Sequence, residues 1–174
     1  YSDKRLKYIH QKNAERSAAR NTGIENSDGK YLCFLDSDDY YLSNRLELLH
    51  SEITKQGEQA AFYYTGITYS KNEKLSNSKE FKNTFDNKFD FIVQAVICSQ
   101  QACIHHQILK KHRYNPQFRI GEDMELWLRI INEYPIIYLS DQYTVVLTHH
   151  DDRSVNVDRW NVYAEYLITL RYVF

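Results

Sequence analysis

The 174-residue sequence predicts an α/β domain, in which helices and strands alternate along the chain. One observation is a short apolar run, residues 31–35, that stops abruptly at Asp36. Such a run is typical of a strand buried on both faces of a parallel sheet. The other two are apolar residues that recur at helical spacing after Ser43 and again after Gly121.

The first part of the chain predicts a helix, a turn and a strand. Asn13 is suited to cap a helix that continues through Ala18 and becomes indistinct near Gly23. Asp28 and the glycine after it are typical of a turn. The turn leads into the predicted strand of residues 30–35.

The next elements are a helix, a strand and a loop. Ser43 is the expected N-cap of the helix, Leu46, Leu49 and Ile53 form its apolar stripe, and Gly57 ends it. Aromatic and β-branched residues predict one strand over residues 60–69. The polar residues 71–88 predict a loop or irregular insertion.

The second half of the chain repeats the alternation. Gly121 is expected to open a strong helix, with Trp127 on its apolar face. The remaining predictions are helices over residues 90–98, 107–112 and 156–174, and strands over residues 102–106, 136–139 and 143–148.

Composition limits the classes of function. A formal net charge of −1 gives no overall basic field, so generic nucleic-acid binding is disfavoured. No apolar stretch approaches the ~20 residues that a bilayer span needs, so we expect any membrane contact to be peripheral. The three cysteines lack the spacing of metal ligands and suit a reducing compartment. We therefore expect the protein in the cytoplasm or at the inner face of the membrane.

The sharpest feature is the acidic turn, which we define as residues 36–39. Asp36, Asp38 and Asp39 repel one another, and a hard divalent cation such as Mn²⁺ or Mg²⁺ relieves that repulsion through oxygen ligands. Ligands of open α/β sheets also bind beyond the carboxyl ends of strands. A solvated acidic turn is the alternative.

Other residues carry weaker signals. Glu122 and Asp123 could serve catalysis, although acidic residues favour the first turn of any helix. Arg16 and Arg20 lie four apart on one helix face and could reach a diphosphate, or they could be solvated. A third group consists of His149, His150 and Arg153. These residues could bind a metal or phosphate, or they could belong to a solvated loop.

Together these stretches resemble the family 2 glycosyltransferases. The resemblance is carried, in order, by residues 13–24, 29–39, 118–129 and 149–153. It implies an A-type glycosyltransferase fold, with a mixed, mostly parallel sheet flanked by helices. The opening strands of that fold have no counterpart here, so the chain is expected to be truncated. Residues 1–155 then form a partial catalytic domain, and residues 156–174 a helix that packs on the domain or leaves it.

The resemblance also implies a reaction and its residues. The expected reaction is an inverting transfer of sugar from a nucleotide-diphosphate donor, by default a uridine-diphosphate sugar, to a glycan, lipid-linked or other hydroxyl acceptor in cell-surface polysaccharide synthesis. Asp123 is the expected base, with Glu122 beside it. Asp38 is expected to hold the metal, with Asp36 near the ribose or the metal and Asp39 near the donor sugar. Arg20 is expected to contact the nucleotide.

Further contacts and two rival functions stay open. His150, or else His149, is the late metal or diphosphate ligand that the resemblance implies, and Arg16 and Arg153 are further candidates for phosphate contacts. A non-catalytic module that binds nucleotide sugars is the main alternative. A phosphatase of the haloacid-dehalogenase type also places two such aspartates after a strand, but it normally has Thr or Val where Tyr40 stands.

Overall fold

A computed structural model describes residues 3–71, 74–77, 97–139 and 145–148. The predicted helix of residues 156–174 lies outside these ranges, and so does the domain boundary expected before it. The predicted helix of residues 90–98 also lies outside, except for its last two residues. Of these, Cys98 is extended, with φ −80° and ψ 159°.

The predicted helices of the described ranges are all present. They are α1 (Glu15–Glu25), α2 (Arg45–Lys55), α3 (His106–Lys111) and α4 (Glu122–Ile131). A 3₁₀ turn over Ser99–Gln101 precedes the strand that leads into α3. None of the helices in the described ranges is long and apolar enough to cross a bilayer.

The strands form two four-stranded sheets, with orders β1-β6-β3-β7 and β2-β8-β4-β5. The first sheet contains β1 (Tyr31–Cys33), β3 (Phe62–Thr65), β6 (Ala102–His105) and β7 (Ile136–Leu139). The second contains β2 (Tyr40–Tyr41), β4 (Ile67–Lys71), β5 (Lys74–Asn77) and β8 (Val145–Thr148).

The sheets are mixed, as predicted, but parallel pairing is less frequent than expected. Only β3–β7 and β4–β8 are parallel among the six described pairings. The prediction that β1 is buried on both faces is confirmed only in part. Leu32 packs against one apolar cluster and Tyr31 and Cys33 against another, but all three residues are half-buried. In the described chain this strand pairs only with β6, antiparallel.

Two further predictions need correction. Residues 60–69 do not form one strand: the chain passes at Gly66 from β3 in the first sheet to β4 in the second. A strand interior that contains glycine is weakened, which favours such a break. Residues 71–88 are not all loop, because β5 pairs antiparallel with β4, with Tyr69 opposite Ser76.

The helix ends differ slightly from the prediction. Asn44, not Ser43, is the N-cap of α2, and Gly57 adopts φ 72° just beyond the helix. Ala14 is the N-cap of α1, while the Asn13 side chain accepts a hydrogen bond from the Glu15 N–H. This helix continues through Gly23 to Glu25.

The buried face of α2 contains a charged residue. Leu49 and Ile53 are buried as predicted, but Leu46 is 65% exposed. Arg45 replaces it on the buried face and is fully buried. Residues 45, 49 and 53 lie four apart, which places them on one side of a helix.

The main core lies between the first sheet and α4. Trp127 is fully buried there against Phe62, with ring centroids 4.6 Å apart, and its Nε1–H donates to the Ile97 carbonyl at 2.8 Å. This packing fixes α4, and therefore fixes the acidic residues of its first turn relative to the sheet.

Candidate active site

Helix α1 carries Arg20 and is tied to the loop before α4. The Asn21 amide donates to the Tyr114 carbonyl at 2.9 Å, and its Oδ1 accepts from the Tyr114 N–H at 3.0 Å. The guanidinium of Arg20 lies 5.3 Å from the centre of the Tyr114 ring. The helix is thus held so that Arg20 points towards the start of α4.

Arg20 joins the two acidic motifs of the sequence. Its Nη1 donates to Glu122 Oε1 at 2.8 Å and to Asp123 Oδ1 at 3.3 Å. Its Nη2 donates to the two carboxylate oxygens of Asp36 at 3.2 and 3.3 Å. The side chains of Arg20 and Glu122 are 10% and 4% exposed. The Asp36 turn and the first turn of α4 therefore face a common guanidinium.

The acidic turn is closed by a backbone hydrogen bond from Asp39 N to the Asp36 carbonyl at 3.3 Å. Each of Asp36, Asp38 and Asp39 offers a carboxylate oxygen, and these oxygens lie within 4.8 Å of one another. Ligands on opposite sides of Mg²⁺ are about 4.2 Å apart, because each bond is about 2.1 Å long. The three carboxylates are therefore close enough together to hold a hard divalent cation.

Asp123 has an unusual environment at the start of α4. The helix begins after Gly121, whose φ of 75° is a conformation that favours glycine. The Ser99 N–H donates to Asp123 Oδ2 at 2.9 Å. Burial, and next the charge of Glu122, raise the pKa of Asp123 to about 7, although Arg20 opposes this change. A carboxyl group with such a pKa can take up a proton near neutral pH.

The other predicted site residues are distributed as follows. The Nε of Arg16 lies 3.4 Å from Glu122 Oε1, so this side chain contacts the first turn of α4, whereas its contact with a phosphate is untested. Glu122 lies between Arg16 and Arg20. Three predicted residues lie outside the described ranges: His149, His150 and Arg153.

The contribution of the 3₁₀ turn to the site was not predicted from the sequence. Gln100 Nε2 donates to Asp36 Oδ2 at 2.7 Å and to Asp39 Oδ2 at 2.9 Å. The Ser99 hydroxyl pairs with the Tyr114 hydroxyl at 2.8 Å. No periodicity or charge marks these residues in the sequence, and Asp36 lies 64 positions from Gln100.

Two relatives that are named as glycosyltransferases are similar to this sequence. A relative from Rickettsia felis, described as an uncharacterized glycosyltransferase, is 34% identical over 77% of the chain. The chain spans only 22% of the length of that protein. A second relative, from Campylobacter jejuni, is 25% identical over 95% of the chain and 54% of its own length. Its name is GalNAc(5)-diNAcBac-PP-undecaprenol beta-1,3-glucosyltransferase.

The fold also has a solved counterpart. The structure of S. aureus TarS 1-349 in complex with UDP-GlcNAc superposes with a TM-score of 0.69 at 14% identity. The superposition covers 92% of this chain and 47% of TarS, and it confirms the A-type glycosyltransferase fold. The sequence model of Glycosyl transferase family 2 matches residues 1–113, which is more than half of the chain. The resemblance inferred from four motifs is therefore confirmed, and this chain belongs to glycosyl transferase family 2.

Proposed function

We propose that the protein is a metal-dependent, inverting glycosyltransferase that uses Asp123 as its general base. The observation that carries the proposal is the position of Arg20, which binds Asp36 of the acidic turn and Asp123 of α4 at the same time. In the proposed site the nucleotide diphosphate lies at the acidic turn, and the acceptor hydroxyl lies at Asp123.

Asp123 takes the proton of the acceptor hydroxyl while that oxygen attacks the anomeric carbon and the bond to the diphosphate breaks. A general base contributes ~10²–10⁴-fold when its pKa is close to the working pH. The pKa of about 7 at Asp123 meets this condition. Attack by the acceptor itself, with no covalent sugar–enzyme intermediate, inverts the configuration of the anomeric carbon.

A Mn²⁺ or Mg²⁺ ion, when bound, offsets the charge that develops on the departing diphosphate. Asp38 is the proposed principal ligand, with Asp36 and Asp39 beside it. Both oxygens of Asp36 accept hydrogen bonds from Arg20, whereas Asp38 is exposed at the tip of the turn. Arg20 and Arg16 add positive charge, with Arg153, His149 and His150 as further contacts to phosphate or metal.

The proposed donor is a uridine-diphosphate sugar, and the proposed acceptor is a lipid-linked glycan. Support for the donor comes from TarS, whose structure contains UDP-GlcNAc. Support for the acceptor comes from the name of the Campylobacter relative, which specifies an undecaprenol-linked glycan. With such an acceptor, the proposed role is in bacterial cell-surface polysaccharide synthesis, and the proposed location is the cytoplasm or the inner face of the membrane.

The test is transfer from a panel of radiolabelled uridine-diphosphate sugars to an undecaprenol-diphosphate-linked acceptor, with and without Mn²⁺. We expect Mn²⁺-dependent transfer, and NMR of the product should show an inverted anomeric centre. Asp38→Ala should abolish the binding of donor that depends on Mn²⁺, whereas Asp28→Asn, at an exposed carboxyl outside the site, should not. Donor binding without transfer to any acceptor would favour a non-catalytic binding module instead.

A further inference from the structure

The side-chain amide of Gln100 bridges two carboxylates of the acidic turn. Its Nε2 donates to Asp36 Oδ2 at 2.7 Å and to Asp39 Oδ2 at 2.9 Å. Gln100 is 7% exposed and Asp39 is 8% exposed, so the hydrogen bond between them forms largely away from water, whereas the side chain of Asp36 is 40% exposed. Two carboxylates in such surroundings repel each other strongly unless a donor group lies between them.

An amide suits this position better than a charged group. The –NH₂ of glutamine has two N–H donors, and each can serve one carboxylate. The reversed orientation would turn Oε1 towards two negative charges, so the contacts themselves fix the orientation of the amide. Because the amide is neutral, it holds the carboxylates together and leaves their charge for a cation.

The backbone around Gln100 is held from the opposite side by Arg45. Nη2 of this fully buried residue donates to the Gln100 and Gln101 carbonyls at 3.0 and 3.1 Å, and Nη1 donates to Thr65 Oγ1 at 2.8 Å. The Gln101 amide also donates to the Thr65 carbonyl at 2.7 Å. The turn therefore cannot shift without breaking several buried hydrogen bonds.

We propose that Gln100 is a positioning residue, which holds Asp36 and Asp39 at the spacing that a divalent cation requires. The inference rests on the proposed function, because that function supplies the cation. The same turn donates its Ser99 N–H to Asp123. One rigid segment thus fixes the acidic turn through a side chain and the general base through its backbone.

The test compares Mn²⁺ binding by the native protein and by Gln100→Met, which keeps the shape of the side chain and removes both donors. Calorimetry with Mn²⁺ alone should show an affinity about 10- to 100-fold weaker in the variant, the usual loss when a group that orients a metal ligand is removed. Gln107→Met is the matched control, because Gln107 is exposed on α3, and it should bind Mn²⁺ like the native protein.

Kinetics add a readout that a general loss of structure would not give. In Gln100→Met, the Mn²⁺ concentration for half-maximal transfer should rise about as much as the affinity falls, since occupancy of the site limits the rate. The pH profile at saturating Mn²⁺ should stay native, because Asp123 keeps its hydrogen bond from the Ser99 backbone. A profile displaced along the pH axis would overturn the assigned role.

A second variant covers the case in which Gln100→Met does not fold. Gln100→Lys places a positive charge between Asp36 and Asp39, so we expect a folded protein that binds Mn²⁺ at least 10-fold more weakly. Native Mn²⁺ affinity in either folded variant overturns the inference and leaves the proposed function intact. If the native protein itself binds no Mn²⁺, the metal dependence of the proposed function fails and the inference fails with it.

Discussion

The substitution Asp123→Asn tests two properties of Asp123 separately. Its effect on stability reports the cost of burying the carboxylate, and its effect on turnover reports the role of the carboxylate in the reaction. The pKa of about 7 lies about three units above the ordinary 3.8, and each unit corresponds to about 1.4 kcal/mol. Ionised Asp123 therefore lowers the free energy of unfolding at pH 8 by at most about 4 kcal/mol, compared with an exposed aspartate. Asparagine removes this cost, and the opposing attraction of Arg20 is already included in the pKa of about 7.

The variant should therefore be more stable than the native protein at pH 8, by up to about 4 kcal/mol, and should lose its transferase activity. The sign follows from the raised pKa of Asp123. Between about pH 4 and pH 7 the unfolded carboxyl ionises while the folded one keeps its proton, so native stability falls as the pH rises. Asparagine does not titrate, and this part of the pH dependence should disappear.

Urea unfolding at pH 5 and pH 8 measures the stability, and initial rates of sugar transfer from pH 5 to pH 9 measure the activity. For the native protein, kcat/KM should rise through about pH 7 as Asp123 loses its proton. Asp28→Asn, at an exposed position, should leave both measurements unchanged. A variant that is less stable than the native protein at pH 8, or that keeps native turnover, would refute the reasoning.

Four further substitutions test the framework by urea unfolding at pH 7. Arg20→Met leaves buried carboxylates without their cation and should cost about 3 to 5 kcal/mol; a loss below 1 kcal/mol would contradict the ion pairs. Arg45→Met leaves carbonyls of the 3₁₀ turn without a hydrogen-bond donor and should lower the free energy of unfolding by at least about 2 kcal/mol. A variant as stable as the native protein would show that the turn does not depend on Arg45. Gly121→Ala should cost about 1 to 2 kcal/mol because of its φ of 75°. Gly23→Ala should instead stabilise the protein by up to about 1 kcal/mol, since nothing lies within 4 Å of the added methyl. Changes in stability of the same sign in the two glycine variants would contradict one of these two predictions.

The parts of the site that could be predicted from the sequence carry a local signal. Asp36 follows an apolar run, Asp123 opens an amphipathic helix, and Arg20 lies in the middle of a predicted helix. Each signal is weak alone, and the order of the motifs along the chain identified the family. Their meeting at one guanidinium is a long-range contact across 16 and 103 residues. The family resemblance implies a nucleotide contact for Arg20, and neither it nor periodicity predicts this meeting.

The contacts made by Gln100 and Arg45 could not be predicted, for two different reasons. Gln100 acts through an uncharged amide in a polar stretch, and no pattern distinguishes it from its neighbours. Arg45 did have a signal, because it lies four and eight residues before Leu49 and Ile53. Leu46 was predicted to be buried because it is hydrophobic. Arg45 is buried instead, because its guanidinium donates hydrogen bonds to carbonyls of the 3₁₀ turn and to Thr65.

The charges of the site explain why Asp123 is suited to be the base. Five carboxyl groups gather there among the described residues: Asp36, Asp38, Asp39, Glu122 and Asp123. Arg20 and Arg16 supply two positive charges. In the proposed reaction a divalent cation adds two more, so these charges balance when one carboxyl is protonated. Asp123 has the raised pKa, so it is the carboxyl group of this cluster that gains and loses a proton near neutral pH.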